Sequence, residues 1–496
     1  MFDLIIVGAG PAGSSAARGA AKAGLNVLVL EKEPFPRYKP CGGALSDRAI
    51  SLLDFPLPEE LCERTITGAR VHFRHRVIES HKGSRLSTLV TRSKFDNFLI
   101  EKAQESGCNL VTQKVEGYQE KEDHVEVLTK RKKYKSQFLM ISSGCQSRLK
   151  DDVQGRVARD QYAVSIVTEI EEDDKKIEER LPSSLDFYLD VAQTGYGWIF
   201  PHKGYYSVGI GGQVSRLGNP KRTMLNFLNR LGFQGKYKLH GHMIPMGGFN
   251  RRIGEDRILL AGDSAGFVDP FTGEGIYYAI RSGKIAAQAI LNQDPAEVAG
   301  IYVENCRKDF GEELGYALWI AQNLDERRDA FLNALTENDV ILNSYLEISA
   351  GREKYRDFTE YLVPWVVQAS SRDFNDQVNR VPEFLRSILG TERINLKIIL
   401  ENGNIIRTGF KLENGKITGA AKGGLRNPTV ILTATERAMR RIERSRDPLA
   451  ALQKERRIGG IAIVGRNTGS QLKLNVLLDI LLKSNGTLKF LSRISF

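Results

Sequence analysis

Blocks of apolar and polar positions predict an α/β protein that begins with a strand, a helix and a second strand. Leu4–Val7 and Val27–Leu30 are short apolar runs, and an alanine-rich run to Lys22 lies between them. Short apolar runs are typical of buried strands, and alanine is the best helix former. Gly24 predicts the end of this helix.

Farther along, alternating apolar and polar positions predict strands at Thr65–Val90, and Gln161–Gly212 is predicted to be rich in strands. A helix is predicted from Arg92 to Gly107, and a strand with a hairpin over Val111–Met140. Arg257–Leu260 predicts another buried strand, which leads through a glycine-rich loop into a long helix.

The last third of the chain differs from the rest, because a mainly helical pattern over about 302–386 gives way to strand and turn signals. Asn402-Gly403 and Asn414-Gly415 are typical of hairpin turns. A basic amphipathic helix is predicted at Glu436–Arg446 and a leucine-rich helix at Leu472–Leu482. We expect three regions: 1–300 with insertions at about 60–90 and 155–248, a helical region at 301–385, and an α+β domain at 386–496.

Composition narrows the class of protein. The 496 residues are 41% hydrophobic and 26% charged, as in soluble globular proteins. We find no apolar run long enough to span a bilayer and no signal peptide, so a cytoplasmic protein is expected. The five cysteines are scattered without a CxxC pair, which argues against a disulfide framework and a metal site.

The positive charge is concentrated at one end. Arg386–Phe496 contains 21 Lys and Arg against 8 Asp and Glu, so its formal charge of +13 exceeds the +11 of the whole chain. Such a segment favours an anionic partner, either a lipid surface or a nucleic acid. The alternative is a solvated basic face.

The first turn carries the spacing GxGxxG at Gly8, Gly10 and Gly13. Gly8 permits a tight turn, Gly10 lets a pyrophosphate approach the backbone, and Gly13 allows close packing of helix and strand. Glu31 ends the second strand, where an acid can accept ribose hydroxyls. Together these predict a dinucleotide site, but the motif does not choose between FAD and NAD.

A second motif, Ala261-Gly262-Asp263, follows a strand and opens a glycine-rich loop into a helix. Asp263 is placed to accept hydrogen bonds from sugar-like hydroxyls. Gly273 and Gly275 are expected to leave backbone N–H groups free near a helix N-terminus, which would stabilise negative charge on a reduced flavin. With the first motif, this resembles the p-hydroxybenzoate hydroxylase-type flavoprotein fold.

Two more segments match that resemblance. Arg92 begins a helix as the family's adenosine-side arginine does, and Gly144–Arg148 resembles the family's DGxxSxxR segment, although Ser143 stands where Asp is usual. The resemblance implies FAD and a Rossmann-type FAD-binding fold with an antiparallel-sheet substrate domain. The residues it implies for the cofactor are Gly8, Gly10, Pro11, Ala12, Gly13, Glu31, Lys32, Cys41, Gly42, Arg92, Gly144, Asp263, Gly273, Gly275 and Ile276.

Tyr196-Gly-Trp198-Ile-Phe200-Pro201, followed by Gly209-Ile-Gly211, resembles the YxWxFP…GxG signature of geranylgeranyl reductases, and the Cys41-Gly42 segment resembles their cysteine–glycine segment beside the flavin. This resemblance implies a reductase of polyprenyl double bonds. Archaeal-type digeranylgeranylglycerophospholipids are the expected main substrate, because the chain is basic and lacks a membrane span. Cys41, Tyr196 and Trp198 are the predicted catalytic residues, and Tyr196, Trp198, Phe200 and Pro201 the predicted substrate contacts. An ordinary aromatic strand is the structural alternative.

Several alternatives stay open from the sequence. Menaquinone side chains and geranylgeranyl diphosphate are rival substrates. A flavin-dependent monooxygenase or halogenase is a rival activity, although halogenases typically carry WxWxIP at Tyr196–Pro201. A lipid carrier with a vestigial flavin fold is a non-enzymatic rival. No second GxGxxG lies between a strand and a helix, so NAD(P)H or a ferredoxin must dock transiently to reduce the flavin.

The C-terminal order of strand, basic helix, strand and leucine-rich helix is similar to the latter half of sterol-carrier-protein-like domains. That resemblance implies a lipid-holding module whose basic helix docks on phosphate head groups. We therefore expect peripheral association with an anionic membrane and no nucleic-acid partner. A packing or dimerisation domain is the alternative.

Overall fold

The computed structural model describes residues 1–192, 194–246, 249, 251–291, 294–326, 339–379 and 382–483. Its strands, in chain order, are β1 Phe2–Val7, β2 Val27–Glu31, β3 Ala44–Ser46, β4 Arg64–Ile66, β5 Gly68–Phe73, β6 Arg76–His81, β7 Ser87–Leu89, β8 Asn109–Thr112, β9 Val115–Glu120, β10 Val125–Thr129, β11 Lys133–Ile141, β12 Tyr162–Glu171, β13 Ser184–Tyr188, β14 Tyr196–Pro201, β15 Tyr205–Gln213, β16 His240–Pro245, β17 Gly254–Glu255, β18 Ile258–Leu260, β19 Thr391–Ile399, β20 Ile405–Glu413, β21 Lys416–Lys422, β22 Val430–Thr435 and β23 Ile461–Gly465.

The helices are, in chain order, α1 Pro11–Lys22, α2 Asp47–Ser51, α3 Arg92–Gln104, α4 Asp151–Gln154, α5 Asp174–Arg180, α6 Pro220–Arg230, α7 Ile276–Leu291, α8 Val298–Cys306, α9 Glu312–Glu326, α10 Asp339–Ser349, α11 Tyr355–Val378, α12 Glu383–Leu389, α13 Glu436–Glu443, α14 Pro448–Arg457 and α15 Thr468–Lys483. A π-helical turn, Arg307–Gly311, joins α8 to α9. None of the helices in the described ranges has an apolar stretch that would reach across a bilayer.

The first sheet has the order β17-β18-β11-β1-β2-β8, and β9 and β10 extend it beside β11. From β18 to β8 the strands are parallel, with Leu4 opposite both Val27 and Phe138. Their central residues are fully buried, as expected for a parallel sheet covered on both faces. Parallel strands end at one edge, so the loops after β1, β2 and β11 meet there.

The helices α1 and α7 approach each other very closely beside this sheet. A Cβ atom at Gly283 would overlap the carbonyl oxygen of Ala12, and one at Gly19 would lie 3.1 Å from the Cβ of Ala287. Small residues at these positions therefore allow the contact. It brings the N-terminal turn of α1 next to α7.

The second sheet has seven strands in the order β16-β12-β15-β14-β13-β5-β6. It is antiparallel except where β13 pairs with β5. A third, small antiparallel sheet has the strand order β3-β7-β4. These two sheets and the parallel sheet confirm the predicted α/β class with an antiparallel second sheet.

The chain divides into two compact units. The first comprises Met1–Leu318 and Leu346–Arg352, and the second comprises Trp319–Tyr345 and the residues from Glu353 onward. The second unit contains a five-stranded sheet in the order β21-β20-β19-β22-β23 and the helices α11 to α15. This confirms the predicted C-terminal α+β architecture. The predicted hairpin turns at Asn402-Gly403 and Asn414-Gly415 join β19 to β20 and β20 to β21.

Two C-terminal helices differ from their predicted limits. The helix α13 ends at Glu443 rather than Arg446, because Asp447 caps the next helix by accepting a hydrogen bond from the Ala450 N–H at 3.0 Å. The helix α15 begins at Thr468, before the leucine pattern, and Asn467 accepts from the Ser470 N–H.

Candidate functional site

The glycines of the first turn have different surroundings. At Gly8, where φ is +98°, a Cβ atom would lie 2.6 Å from the carbonyl oxygen of Ser142, and at Gly13 it would overlap the carbonyl oxygen of Gly8. At Gly10 a Cβ atom would have one neighbour within 4 Å among the described residues, Arg37 Nη2, at 3.7 Å. Gly8 and Gly13 are therefore required by packing, whereas Gly10 leaves open space beside Pro11, the first residue of α1.

Glu31 is held rigidly at the end of β2. Its Oε2 accepts a hydrogen bond from the Ala9 N–H at 2.9 Å, and its Oε1 accepts from the Lys32 N–H at the same distance. The Lys32 ammonium points away and lies 3.2 Å from Glu33. An open glycine turn, a helix N-terminus and a fixed carboxylate fit the diphosphate and ribose of a dinucleotide.

Arg92 begins α3 and is buried. It forms a forked ion pair with Asp96, at 2.8 and 3.0 Å, and lies near the Cys41 thiol. Burial alone would lower the pKa of Arg92, but Asp96 and Cys41 raise it, so the guanidinium stays charged. Arg37 Nη1 is 3.4 Å from the same Asp96. The structure thus places Arg92 at the cysteine loop.

Asp263 follows β18 and meets two residues that sequence reasoning missed, Lys39 and His242. His242 Nε2 is 3.8 Å from Asp263 Oδ2 and 2.7 Å from Lys39 Nζ. Burial would raise the pKa of Asp263, but His242 and Lys39 lower it, and burial lowers the pKa of Lys39. These three residues come from separate segments, so no local motif could have found the cluster.

Gly144 lies in the loop that follows β11. This loop is next to the one that follows β18 and carries Asp263. The φ of Gly144 is +87°, and a Cβ atom there would meet nothing within 4 Å. Its carbonyl accepts a hydrogen bond from Ser264 at 3.2 Å. The hydroxyl of Ser143, which stands where the flavoprotein family usually has Asp, is buried and has no hydrogen-bond partner among the described residues.

The loop before α7 is wound around Asp269. Its Oδ1 accepts from the N–H groups of Phe271 and Thr272, both at 2.9 Å, and its carbonyl accepts from the Gly273 N–H at 2.8 Å. The expectation of a free N–H at Gly273 is therefore wrong, because the loop closes on itself. For Gly275 no N–H partner is found within the described residues, and Ile276 begins α7.

Tyr196 connects the second sheet to this loop. Its hydroxyl donates to the carbonyl of Thr272, and a Cβ atom at Gly273 would lie 3.2 Å from the hydroxyl oxygen. Burial raises the pKa of Tyr196, as do the nearby Asp269 and Cys41. The phenol is therefore a neutral hydrogen-bond donor at the turn into α7.

Alternation along β14 puts Tyr196, Trp198 and Phe200 on one face, which we call the aromatic wall. The centroids of neighbouring rings are 6.1 Å apart, and Phe187 on β13 packs edge-on against two of them, at 5.6 Å. Pro201 is not part of the wall, because its position in the strand faces the other way, with Ile199.

The aromatic wall lies between two sets of glycines. A Cβ atom at Gly209 on the neighbouring strand would overlap the Trp198 indole, which explains the first glycine of the GxG spacing, whereas one at Gly211 would make an ordinary contact of 3.8 Å with the indole. On the other side, a Cβ atom at Gly42 would lie 2.7 Å from Phe200 Cε2 and 3.4 Å from Trp198 Nε1. The wall thus packs directly against the Cys41-Gly42 loop.

His202, which sequence reasoning also missed, holds that loop in place. Its Nε2 is 2.9 Å from the Gly42 carbonyl oxygen and its Nδ1 is 2.6 Å from Glu63 Oε2. Both ring nitrogens face oxygen atoms of other residues, so the ring connects Glu63 to the Cys41-Gly42 loop. Burial would raise the pKa of Glu63, but hydrogen bonds from His202 and Thr91 lower it.

Comparisons with known proteins agree with this geometry. The family model "FAD dependent oxidoreductase" matches residues 3–140. An uncharacterised protein of Methanosarcina barkeri is 34% identical over 294 residues, which cover 58% of this chain and 74% of that protein. Digeranylgeranylglycerophospholipid reductase 2 of Methanothermobacter thermautotrophicus is 28% identical over 70% of this chain and 94% of its own length.

A solved structure extends the match. The geranylgeranyl bacteriochlorophyll reductase-like protein of Thermoplasma acidophilum aligns with a TM-score of 0.63 and 25% identity, over 73% of this chain and 98% of that one. The relatives and the fold agree with the open turn at Gly10 and the fixed Glu31. The chain is therefore an FAD-dependent oxidoreductase, and FAD is its cofactor.

Proposed function

We propose that this enzyme saturates double bonds of geranylgeranyl and other polyprenyl chains, with archaeal-type digeranylgeranylglycerophospholipids as the main substrate. The observation that carries the proposal is the packing of the aromatic wall against the Cys41-Gly42 loop and the loop before α7. The names of the reductase relatives support the same substrate class.

The chemistry requires an apolar site that tolerates positive charge. An isolated trisubstituted alkene has no carbonyl to polarise it, so protonation of one carbon leaves a cation-like centre on the other. Reduced FAD supplies the hydride for that centre. Tyr196 and Trp198 present electron-rich ring faces that stabilise such a cation by about 1–2 kcal/mol, and the buried wall excludes water.

Cys41 is the proposed proton donor. Its thiol gives a proton to the less substituted carbon and so supplies one of the two hydrogens that the chain gains. The thiolate left behind lies beside the buried Arg92 guanidinium, which balances its charge until solvent returns the proton. His202 and Glu63 position the loop from behind through the Gly42 carbonyl.

The remaining assignments belong to the same proposal. The cofactor-facing residues are the predicted set around Gly10, Glu31, Gly144 and Asp263. The electron donor is NAD(P)H or a ferredoxin that docks transiently. The enzyme works in the cytoplasm at the surface of an anionic membrane, and the C-terminal unit provides the membrane contact.

The test is an anaerobic turnover. The FAD of the full chain is reduced with dithionite, digeranylgeranylglycerophospholipids are added, and mass spectrometry follows gains of two hydrogens. We expect these gains in the natural protein and in Cys62→Ala, whose cysteine is exposed, but a loss of at least about 100-fold in Cys41→Ala, because general acid catalysis contributes this much.

Other outcomes discriminate between the alternatives. If only menaquinone or only geranylgeranyl diphosphate gained hydrogens, that compound would replace the phospholipid as the proposed substrate. Oxygen-dependent hydroxylation or halogenation would replace the reductase by a monooxygenase or halogenase. A purified protein that binds lipid but no flavin would support the carrier. Normal turnover by Cys41→Ala would remove Cys41 from the mechanism while leaving the activity in place.

A further inference from the structure

The five-stranded sheet of the second unit leaves one face accessible. Along β19 the residues alternate between buried positions, such as Ile394, Leu396 and Ile398, and partly exposed positions, such as Lys397. The same alternation continues in β20, β22 and β23. One face therefore packs into the unit. The opposite face is partly exposed, and Leu425, in the loop after β21, crosses it at Asn395 and Gly409 and donates its N–H to Asn395 Oδ1 at 2.7 Å.

The accessible face carries two pairs of cations that stand directly opposite each other. Arg393 on β19 is paired in register with Lys411 on β20, and Lys397 is paired with Arg407. Like charges in directly opposite positions of an antiparallel pair are destabilising. The two cation pairs therefore lower the stability of the sheet by themselves. An anion that binds beside them would offset the repulsion between the like charges.

Carboxylates neutralise only one of the four cations on this face. Glu413, next to Lys411, is its only acidic residue within the register of β19 and β20, and it pairs with Lys411. Lys397 and Arg407 have no carboxylate within 4.0 Å in the part of the chain that the structure describes. Arg393 donates to the carbonyl of Arg426, in an exposed loop that adds a further cation.

An apolar patch borders the cations on the same face. Ile431 on β22 and Val464 on the edge strand β23 are register partners, and they are 43% and 60% exposed. Two neighbouring aliphatic side chains beside a field of Lys and Arg match the chemistry of a bilayer surface, where phosphates meet the outermost part of the acyl chains.

The basic helix α13, which the sequence suggested for this role, is less suitable. Arg441 is paired with Glu455 at 2.7 Å, and Arg440 is paired with Glu436 at 2.7 Å. These ion pairs hold two of its arginines against neighbouring side chains. The sheet face keeps more of its charge available.

We propose that the basic sheet face, formed by Arg393, Lys397, Arg407 and Lys411 with Ile431 and Val464, docks the enzyme on an anionic lipid bilayer. This rests on the proposed function, because it supplies the membrane contact that a lipid-chain reductase needs. Single-stranded nucleic acid is disfavoured as the occupant, because base stacking needs aromatic side chains. None is found among these six residues or among five others that share the face, which are Asn395, Gly409, Ala421, Thr433 and Ala462.

The test is vesicle co-sedimentation of the full chain with FAD bound. Vesicles of phosphatidylcholine are compared with vesicles that contain about 30 mol% phosphatidylglycerol, at low and high salt. The test variant is Lys397→Gln with Arg407→Gln. The matched control removes the same charge from the basic helix and its end, as Arg437→Gln with Arg444→Gln, both of which are exposed.

We expect binding only to the anionic vesicles, lost at high salt. The sheet-face double variant should bind about 30-fold more weakly, as two basic residues near an anionic surface contribute, while the control changes binding less than about threefold. A third variant, Ile431→Ser with Val464→Ser, should weaken binding even at low salt, because it removes the inserted apolar side chains.

The opposite ranking of the two charge variants would overturn the proposal and assign the contact to α13. Equal binding by all variants would also overturn it, as would binding of RNA in place of vesicles. Flavin absorbance and reductase activity on detergent-dispersed lipid are measured in parallel. If these stay unchanged while vesicle binding behaves against expectation, the docking face fails but the proposed reductase activity stands.

Discussion

Trp198 Nε1 lies 3.4 Å from the position that a Cβ atom on Gly42 would take. The two residues are 156 positions apart in the chain, because Trp198 is on β14 and Gly42 is in the loop before β3. The indole N–H is buried and has no hydrogen-bond partner among the described residues. The ring is therefore held by packing alone, between Gly42 on one side and Gly209 on the other. This arrangement makes the position of the aromatic wall sensitive to single methyl groups.

Gly209→Ala should move the indole, because the added Cβ atom would overlap it. We expect the free energy of unfolding to fall by about 1–3 kcal/mol, as in other overpacked cores, and the tryptophan emission to shift. Denaturant unfolding and fluorescence measure the two effects. Gly117→Ala is the matched control, because its added methyl group would meet nothing within 4 Å; equal behaviour of the two variants would contradict the packing argument.

Trp198→Phe should separate stability from catalysis. No hydrogen bond is lost, so the free energy of unfolding should change by less than about 1.5 kcal/mol. The turnover number should fall about fivefold to tenfold, because indole is the best ring for stabilising a cation. Trp319→Phe, the same change at a buried tryptophan of the second unit, should leave turnover intact. A Trp198→Phe enzyme with normal turnover would exclude the indole from the mechanism.

The two glycines around α1 should respond differently to the same added methyl group. Gly13→Ala overlaps the carbonyl oxygen of Gly8 and should prevent folding, whereas Gly10→Ala meets only Arg37 and should fold. Gly10→Ala should nevertheless bind FAD at least about tenfold more weakly, because its methyl group occupies the approach of the diphosphate. Thermal unfolding and flavin content per protein measure the difference. Full flavin content in Gly10→Ala would place the diphosphate elsewhere.

Local patterns predicted much of the fold. The strand–helix–strand unit that begins the chain, the hairpin turns at Asn402-Gly403 and Asn414-Gly415 and the α+β end are confirmed, since each depends on residues close in sequence. FAD is confirmed as well. The GxG spacing at Gly209 and Gly211 was recognised as a signature, but the physical cause of its first glycine, the space for Trp198, appeared only in the structure.

What sequence reasoning missed depends on contacts between distant residues. His202 meets Glu63 across 139 positions and Lys39 meets His242 across 203 positions, so no periodicity or motif connects them. The free N–H expected at Gly273 was wrong for a similar reason, because the Asp269 carbonyl takes it up only once the loop is closed. The one local signal for this contact was the histidine directly after the YxWxFP strand, His202, and its position in the sequence does not indicate which residue it contacts.

The hydrogen bond between Glu63 and His202 predicts a specific dependence of stability on pH. The pKa of Glu63 in the folded protein lies below its ordinary value of 4.5, so the folded state favours the ionised carboxylate. This contribution is fully present above about pH 4.5 and is lost as the pH falls through the folded pKa. Glu63→Gln keeps the shape but not the charge, so it should lower the free energy of unfolding by about 1–2 kcal/mol at pH 7.

The difference between Glu63→Gln and the natural protein should therefore shrink as the pH falls from 5 to 3, because both then present a neutral side chain to His202. Urea unfolding followed by circular dichroism at several pH values measures it. Glu60→Gln, at an exposed glutamate of the same segment, should show no such difference at any pH. If the deficit of Glu63→Gln stayed constant down to pH 3, the charge of Glu63 would not be what holds His202 against the Gly42 carbonyl, and shape alone would have to position the cysteine loop.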